Sequence, residues 1–137
     1  MVAEIEIVLR LMVSVILGLI IGAERELYHK PAGLRTNALV SMGACLLTLI
    51  PIAYLGADYS GIVYGIVTGV GFLGAGAIIN SGREIRGMTS AATLWVSAAI
   101  GIAVGSGAYM VAIVVTLLAF IILNLIFLEE PLKRMKK

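Results

Sequence analysis

Residues 109–128 read YMVAIVVTLLAFIILNLIFL, a stretch of twenty residues without a single charged side chain. Only Thr116 and Asn124 interrupt its apolar character. About 20 apolar residues in a helix cross the hydrocarbon core of a bilayer, whereas a surface helix of a soluble protein keeps one polar face. The stretch therefore predicts a transmembrane helix.

The rest of the chain has the same character. Of its 137 residues, 61% are hydrophobic and 13% are charged, whereas a soluble domain carries about 25% charged residues. We predict an all-α integral membrane protein, a single transmembrane domain over residues 1–137. Its five helices are predicted at residues 5–23, 34–55, 62–80, 89–104 and 109–128. Short links containing Gly and Pro predict that neighbouring helices run antiparallel.

The basic residues predict the orientation of these helices in the membrane. With five spans, one side of the membrane collects nine of the ten Lys and Arg residues: Arg25, Lys30, Arg35, Arg83, Arg86, Lys133, Arg134, Lys136 and Lys137. Because basic loops stay in the cytoplasm, the N-terminus is predicted outside and the C-terminus inside. The net charge of only +2 predicts no nucleic-acid partner.

Polar residues recur at four-residue steps in three of the predicted helices, which places them on one face of each helix. The predicted polar interior is Arg10 and Ser14 in the first helix, Ser41 and Cys45 in the second, and Thr93 and Ser97 in the fourth. Two interpretations remain open. The rows are packing surfaces between helices, or they line a shared polar cavity. Arg10 follows Glu6 by one turn, which allows an ion pair between them. Two interpretations of Arg10 therefore remain, a structural ion pair and a functional charge within the membrane.

Glycines form a row on the third helix. Gly61, Gly65 and Gly69 repeat at four-residue steps, and Gly76 lies on the same side of the helix. Small residues at this spacing let two helices approach closely in lipid. We therefore interpret these glycines as helix-packing residues, and they predict a homo-oligomer, with a dimer favoured.

Charge is concentrated in the two predicted cytoplasmic loops, at Glu24, Arg25, Glu26 and Arg35 and again at Arg83, Glu84 and Arg86. Mg²⁺ is held by one or two carboxylates together with waters, so Glu24 and Glu84 are candidate ligands. The alternative is a solvated salt-bridge cluster that also enforces topology. No nucleophile–base pair occurs in the sequence, so we predict that the protein is not an enzyme and needs no cofactor.

The two loops also end alike. The segment GLRTNA at residues 33–38 and the segment GMTSAA at residues 87–92 both lead from glycine into a helix start. This short match predicts a parallel repeat of helices 1–2 and 3–4, with the fifth helix outside the symmetry.

Several motifs resemble one known family. They are GAERE at residues 22–26, AGLRTNALVSMGA at 32–44, GFLGAGAII at 71–79 and TSAATLWVSAAIG at 89–101. In this order they resemble the MgtC/SapB membrane proteins. The resemblance implies a five-helix domain of the prokaryotic inner membrane, linked to magnesium limitation and, in pathogens, to survival inside host cells. By motif it implies functional importance for Glu24, Arg25, Arg35, Thr36, Asn37, Gly76 and Thr89.

The resemblance also concerns the end of the chain. Many members of the family continue into a soluble cytoplasmic domain, whereas this chain ends at Lys137 after a basic tail. It is therefore expected to correspond to the N-terminal transmembrane domain. The basic tail at residues 133–137 is a candidate for binding anionic lipid.

Two functions follow as hypotheses. The first is a non-enzymatic regulator or adaptor linked to Mg²⁺ limitation, which acts through helix contacts with a second copy or with another membrane protein. The second is a small transporter or channel for Mg²⁺ or another ion, which works as an oligomer and uses Glu24 and Asn37 as gate or ligand residues.

Overall fold

A computed structural model describes residues 4–56, 58–80 and 85–125 of the chain. It consists of five helices: α1 (Glu4–Leu27), α2 (Leu34–Ile50), α3 (Ser60–Ala77), α4 (Met88–Gly105) and α5 (Tyr109–Asn124). Between α3 and α4, the two-residue strands β1 (Ile79–Asn80) and β2 (Ile85–Arg86) pair antiparallel. The predicted all-α membrane class is confirmed.

Within the described residues, four helices are long and apolar enough to cross a membrane, namely α1, α2 with the turn that follows it, α3 and α4. The described part of α5 is apolar but shorter, and residues 126–128 of the predicted fifth span lie outside the described residues. The predicted orientation and the predicted repeat of hairpins stay predictions.

The helix boundaries differ from the predicted ones where local backbone chemistry decides them. A π-helical turn, Pro51–Leu55, continues α2, because proline has no N–H for the next helical hydrogen bond. The third helix ends at Ala77 rather than at Asn80, because Ile78 adopts an extended conformation that leads into the hairpin.

A carboxylate organises the turn before α3. Asp58 accepts hydrogen bonds from the Ser60 hydroxyl at 2.6 Å and from the Ser60 amide at 3.0 Å. These bonds stabilise the charged carboxylate, and they lower the pKa of Asp58 below its ordinary value.

Helix α4 lies at the centre of the bundle and contacts all four other helices, and α1, α2 and α4 form its tight core. Glycines set the distances between these three backbones. A Cβ atom added at Gly18 of α1 would lie 2.8 Å from the Asn37 carbonyl oxygen of α2. One added at Gly101 of α4 would overlap the Ser41 carbonyl oxygen. Such close approach is the means by which helices associate in lipid.

The outer helices differ in their exposed surfaces. The exposed positions of α5 carry large apolar side chains, including Leu117, Leu118 and Ile121, as suits a surface that faces lipid chains. Helix α3 packs mainly on α4 and makes few contacts with α2. Of the four candidate spans, it is the least buried.

Candidate functional site

The polar rows of α1, α2 and α4 meet inside the bundle. All six residues of the predicted polar interior are buried: Arg10, Ser14, Ser41, Cys45, Thr93 and Ser97. Several hydroxyls donate to carbonyl oxygens of their own helix, as Ser14 does to Leu11 and Thr93 does to Ser90, both at 2.8 Å. The hydroxyls of Ser14 and Thr93 therefore bond within their own helices.

Asn37 joins three parts of the structure. Its side-chain Nδ2 donates to the carbonyl oxygens of Ala32 and, at 3.0 Å, of Gly33, so it fixes the loop before α2. Its Oδ1 accepts a hydrogen bond from the Ser97 hydroxyl of α4 at 2.9 Å. The amide group is fully buried and uses both its donor and its acceptor. Asn37 thus fastens the loop and α2 to the central helix.

Arg10 caps the C-terminal end of α4. Its NH1 donates to the carbonyl oxygen of Gly105 at 2.7 Å, and its guanidinium forms an ion pair with Glu6. The guanidinium carbon also lies 5.7 Å from the centre of the Tyr109 ring. A cation at a helix C-terminus meets the unpaired carbonyls and the negative end of the helix dipole. Of the two interpretations of Arg10, these contacts favour a structural one.

Glu24 and Arg25 form a buried pair near the end of α1. Each is only 2% exposed, and Arg25 Nε lies 2.8 Å from Glu24 Oε2. The contact has the distance of an ion pair but not the angles of a hydrogen bond. Among the described residues, no hydrogen-bond partner contacts either carboxylate oxygen of Glu24 or the Nε and NH1 atoms of Arg25. Each buried polar atom without a partner costs about 1–3 kcal/mol, so the pair is energetically incomplete by itself.

Glu26 has a different role from Glu24. Its Oε2 accepts a hydrogen bond from the Leu34 amide, the first residue of α2, at 3.2 Å. The residue before α2 is Gly33, which has no side chain with which to cap the helix. Glu26 therefore supplies the N-terminal cap of α2 from the end of α1.

Four other predicted site residues do not join this buried site. Arg35, Thr36, Arg86 and Thr89 are exposed, and Glu84 lies outside the described residues. Within residues 4–56, 58–80 and 85–125, no three His, Cys, Asp or Glu side chains come together to hold a metal ion. Of the two candidate Mg²⁺ ligands, Glu24 lies within the described residues and Glu84 does not. The guanidinium of Arg25 lies beside the Glu24 carboxylate.

The glycine row of α3 is exposed and makes no close contact with the other described residues. Gly61, Gly65, Gly69 and Gly76 are exposed, and a Cβ atom added at any of them would meet nothing within 4 Å. Their predicted packing against a helix stays a prediction, because no described helix of this chain lies close to them.

Beside the glycine row lies an apolar groove of about 610 Å³ between α2 and α3. Gly43 of α2 contributes to its wall together with Gly65 and Gly69. Two exposed aromatic residues of α3, Tyr64 and Phe72, flank the same row. Sequence reasoning missed Gly43 and this aromatic pair, although Tyr64 and Phe72 are two helical turns apart and share one side of α3.

Fold and site together define a small polytopic α-helical membrane protein with a closed polar interior. Its sequence matches the model of the MgtC family over residues 11–131, and the chain belongs to that family.

Three relatives show the extent of the similarity. Protein MgtC of Salmonella typhimurium (strain LT2) is 41% identical over 130 residues, which cover 95% of this chain and 55% of the relative. The putative magnesium transporter YhiD of Escherichia coli (strain K12) is 37% identical, covering 96% of this chain and 65% of the relative. Protein SapB of Bacillus subtilis (strain 168) is 37% identical, covering 94% and 59%.

The chain spans between 55% and 65% of the length of these relatives. No solved structure matches it.

Proposed function

We propose that this protein is a non-enzymatic regulator or adaptor of the prokaryotic inner membrane, linked to Mg²⁺ limitation, which acts through contacts between transmembrane helices. One contrast carries the proposal. The polar rows of α1, α2 and α4 pack against each other, whereas the glycine row of α3 has no partner among the described residues. The link to magnesium rests on a relative that is named a putative magnesium transporter.

Packing inside the bundle supports this proposal over a path through one chain. Ser97 is bonded to Asn37, Thr93 is bonded to its own helix, and Gly101 brings α4 against the backbone of α2 at Ser41. An ion path needs polar groups that face water, whereas these groups face each other or a carbonyl oxygen.

Two measurements test the proposal together. The first is growth at low Mg²⁺ of a host that lacks its own relative of this protein, with and without the wild-type chain. The second is Mg²⁺ entry into liposomes that contain the purified protein and an internal dye, beside a known channel as control. We expect the chain to restore growth and to pass no Mg²⁺. Growth that depends on the chain together with Mg²⁺ uptake by the chain would refute a purely regulatory role.

A matched pair of variants locates the contact surface. Gly65→Leu places a large side chain in the glycine row, and Gly71→Leu makes the same change at another exposed glycine of α3, outside that row. A Cβ atom added at either position meets no described atom within 4 Å, so both variants are expected to fold. We expect Gly65→Leu to lose the growth phenotype and Gly71→Leu to keep it. Equal growth of the two variants would remove α3 as the contact surface.

The second candidate is an oligomeric transporter of Mg²⁺ or another ion, and one observation favours it. Glu24 is a buried carboxylate whose oxygens have no hydrogen-bond partner in the described part of the chain, as expected of a carboxylate that binds a cation. If this candidate is right, Glu24→Gln abolishes Mg²⁺ uptake in the liposome assay, whereas Glu26→Gln, at the exposed cap of α2, retains it. Uptake that survives Glu24→Gln would exclude Glu24 as the ligand.

A further inference from the structure

We propose that α3 binds α3 of a second copy of this chain, with the aromatic ridge of each copy lying on the glycine row of the other. The ridge is formed by Tyr64, Thr68 and Phe72, and the glycine row by Gly61, Gly65 and Gly69. This inference rests on the proposed function, because it names the partner of the surface through which the protein is proposed to act.

The ridge and the row are adjacent on the exposed side of α3. Residues at four-residue steps form parallel lines along a helix, so the line through Tyr64, Thr68 and Phe72 runs directly beside the line through the three glycines. All six residues are exposed. A twofold rotation places the ridge of one copy opposite the glycine row of the other, and the glycine row of the first opposite the ridge of the second. Such a self-complementary surface is the condition for a closed dimer of identical chains.

The direction of the helices suits such a dimer. Two copies that insert into the membrane with the same orientation run their α3 helices parallel. Glycines at four-residue spacing are the known means by which parallel helices cross closely, at about −40°. The crossing would bring the large side chains of one copy over the glycines of the other and into the groove between α2 and α3.

The composition of α3 distinguishes this surface from one that faces lipid. Helix α5 is equally exposed and presents Leu117, Leu118 and Ile121, which fill space against acyl chains. The glycine row of α3 has no side chains, so it exposes the helix backbone. Lipid-facing positions gain nothing from glycine, which also lowers helix propensity by about 0.8–1 kcal/mol per residue relative to alanine. Close packing against another protein helix would explain why glycine occupies these exposed positions.

The area that becomes buried is sufficient for a specific dimer. Tyr64 is 76% and Phe72 is 82% exposed, and aromatic side chains bury about 150–250 Å² each. The two rings of one copy would then bury about 240–400 Å², and the surface that receives them a similar area. For two symmetric contacts that cover both rings fully, the total is about 950–1,600 Å², a range that includes the size of about 1,000 Å² expected of a specific interface.

Disulfide cross-linking of the full chain in lipid nanodiscs or liposomes tests the proposal. Cys45 is buried and is replaced by serine, so that each variant carries one cysteine. Thr68→Cys lies on the ridge, and Leu117→Cys lies on the exposed face of α5 as the control for random collision. We expect oxidation to give a covalent dimer with Thr68→Cys and little with Leu117→Cys. In the Thr68→Cys background, Gly65→Leu should abolish the cross-link and Gly71→Leu should preserve it.

Equal cross-linking at both cysteine positions would overturn the proposal, as would a cross-link that survives Gly65→Leu. The growth assay separates this outcome from failure of the proposed function. If Gly65→Leu stops growth but no covalent dimer forms, the surface binds lipid or another protein, and only the proposed dimer is wrong. If the dimer forms but growth is indifferent to Gly65→Leu, the dimer stands and the proposed function does not.

Discussion

Removing the hydrogen bond between Asn37 and Ser97 tests whether the polar interior holds the bundle together. Ser97→Ala deletes this bond and leaves the Asn37 oxygen without a donor. A net intramolecular hydrogen bond contributes about 0.5–1.5 kcal/mol. Asn37→Ala deletes this bond and two more to loop carbonyls, so it should cost about 1.5–4.5 kcal/mol on the same scale.

The double variant isolates the bond itself. Interhelical hydrogen bonds in membrane proteins couple their partners by about 0.6 kcal/mol on average, with a maximum of about 1.7 kcal/mol. We expect Asn37→Ala and Ser97→Ala to show a coupling free energy in this range, measured by reversible unfolding in bicelles. Thr93→Ala serves as the control, because the Thr93 hydroxyl bonds within its own helix and should add independently to Asn37→Ala. Additive effects of Asn37→Ala and Ser97→Ala would refute the role assigned to this bond.

Three smaller predictions concern the ends of helices. Arg10→Gln removes a charged hydrogen bond to the last turn of α4, so we expect a loss of about 1.5–3 kcal/mol in the same unfolding assay, and an unchanged stability would contradict the cap. Glu26→Ala should cost about 0.5–2 kcal/mol and speed amide exchange in the first turn of α2; exchange at the wild-type rate would exclude it as the cap. Because the pKa of Asp58 is lowered, its bonds to Ser60 are fully present above the unfolded value of about 3.9 and are lost as the pH falls through the lowered folded pKa. An NMR titration of the Ser60 amide should therefore have its midpoint below about 3.9, and a midpoint at or above that value would count against these bonds.

The hydrophobic pattern was enough to predict the class of the fold and the existence of each helix. Length and apolar content decide whether a segment crosses a membrane, and both are read directly from sequence. Boundaries were less predictable because they depend on single peptide groups. The end of α3 at Ala77 follows from the extended conformation of Ile78, which no hydropathy pattern contains.

The candidate site was predictable in its residue types but not in its pairings. Four-residue steps place Asn37 and Ser97 on polar faces, yet only packing of α2 against α4 shows that they bond to each other. The two acidic residues Glu24 and Glu26 looked equivalent in sequence. Two residues apart on a helix, they point in different directions, so one is buried beside Arg25 and the other caps α2.

Glycines provide the last test, because the structure divides them into two classes that a sequence row cannot separate. Gly101 lies against the Ser41 carbonyl, so Gly101→Ala forces α2 and α4 apart, and overpacking of this kind costs about 1–3 kcal/mol. At Gly65 an added Cβ meets nothing, so Gly65→Ala should gain up to about 0.8–1 kcal/mol of helix propensity in the monomer. Unfolding of both variants in dilute detergent measures the difference. Equal unfolding free energies for Gly101→Ala and Gly65→Ala would contradict the close contact between α2 and α4 at Gly101. A loss at Gly101 with a gain at Gly65 would show that α3 keeps its glycines for a reason outside the stability of the single chain.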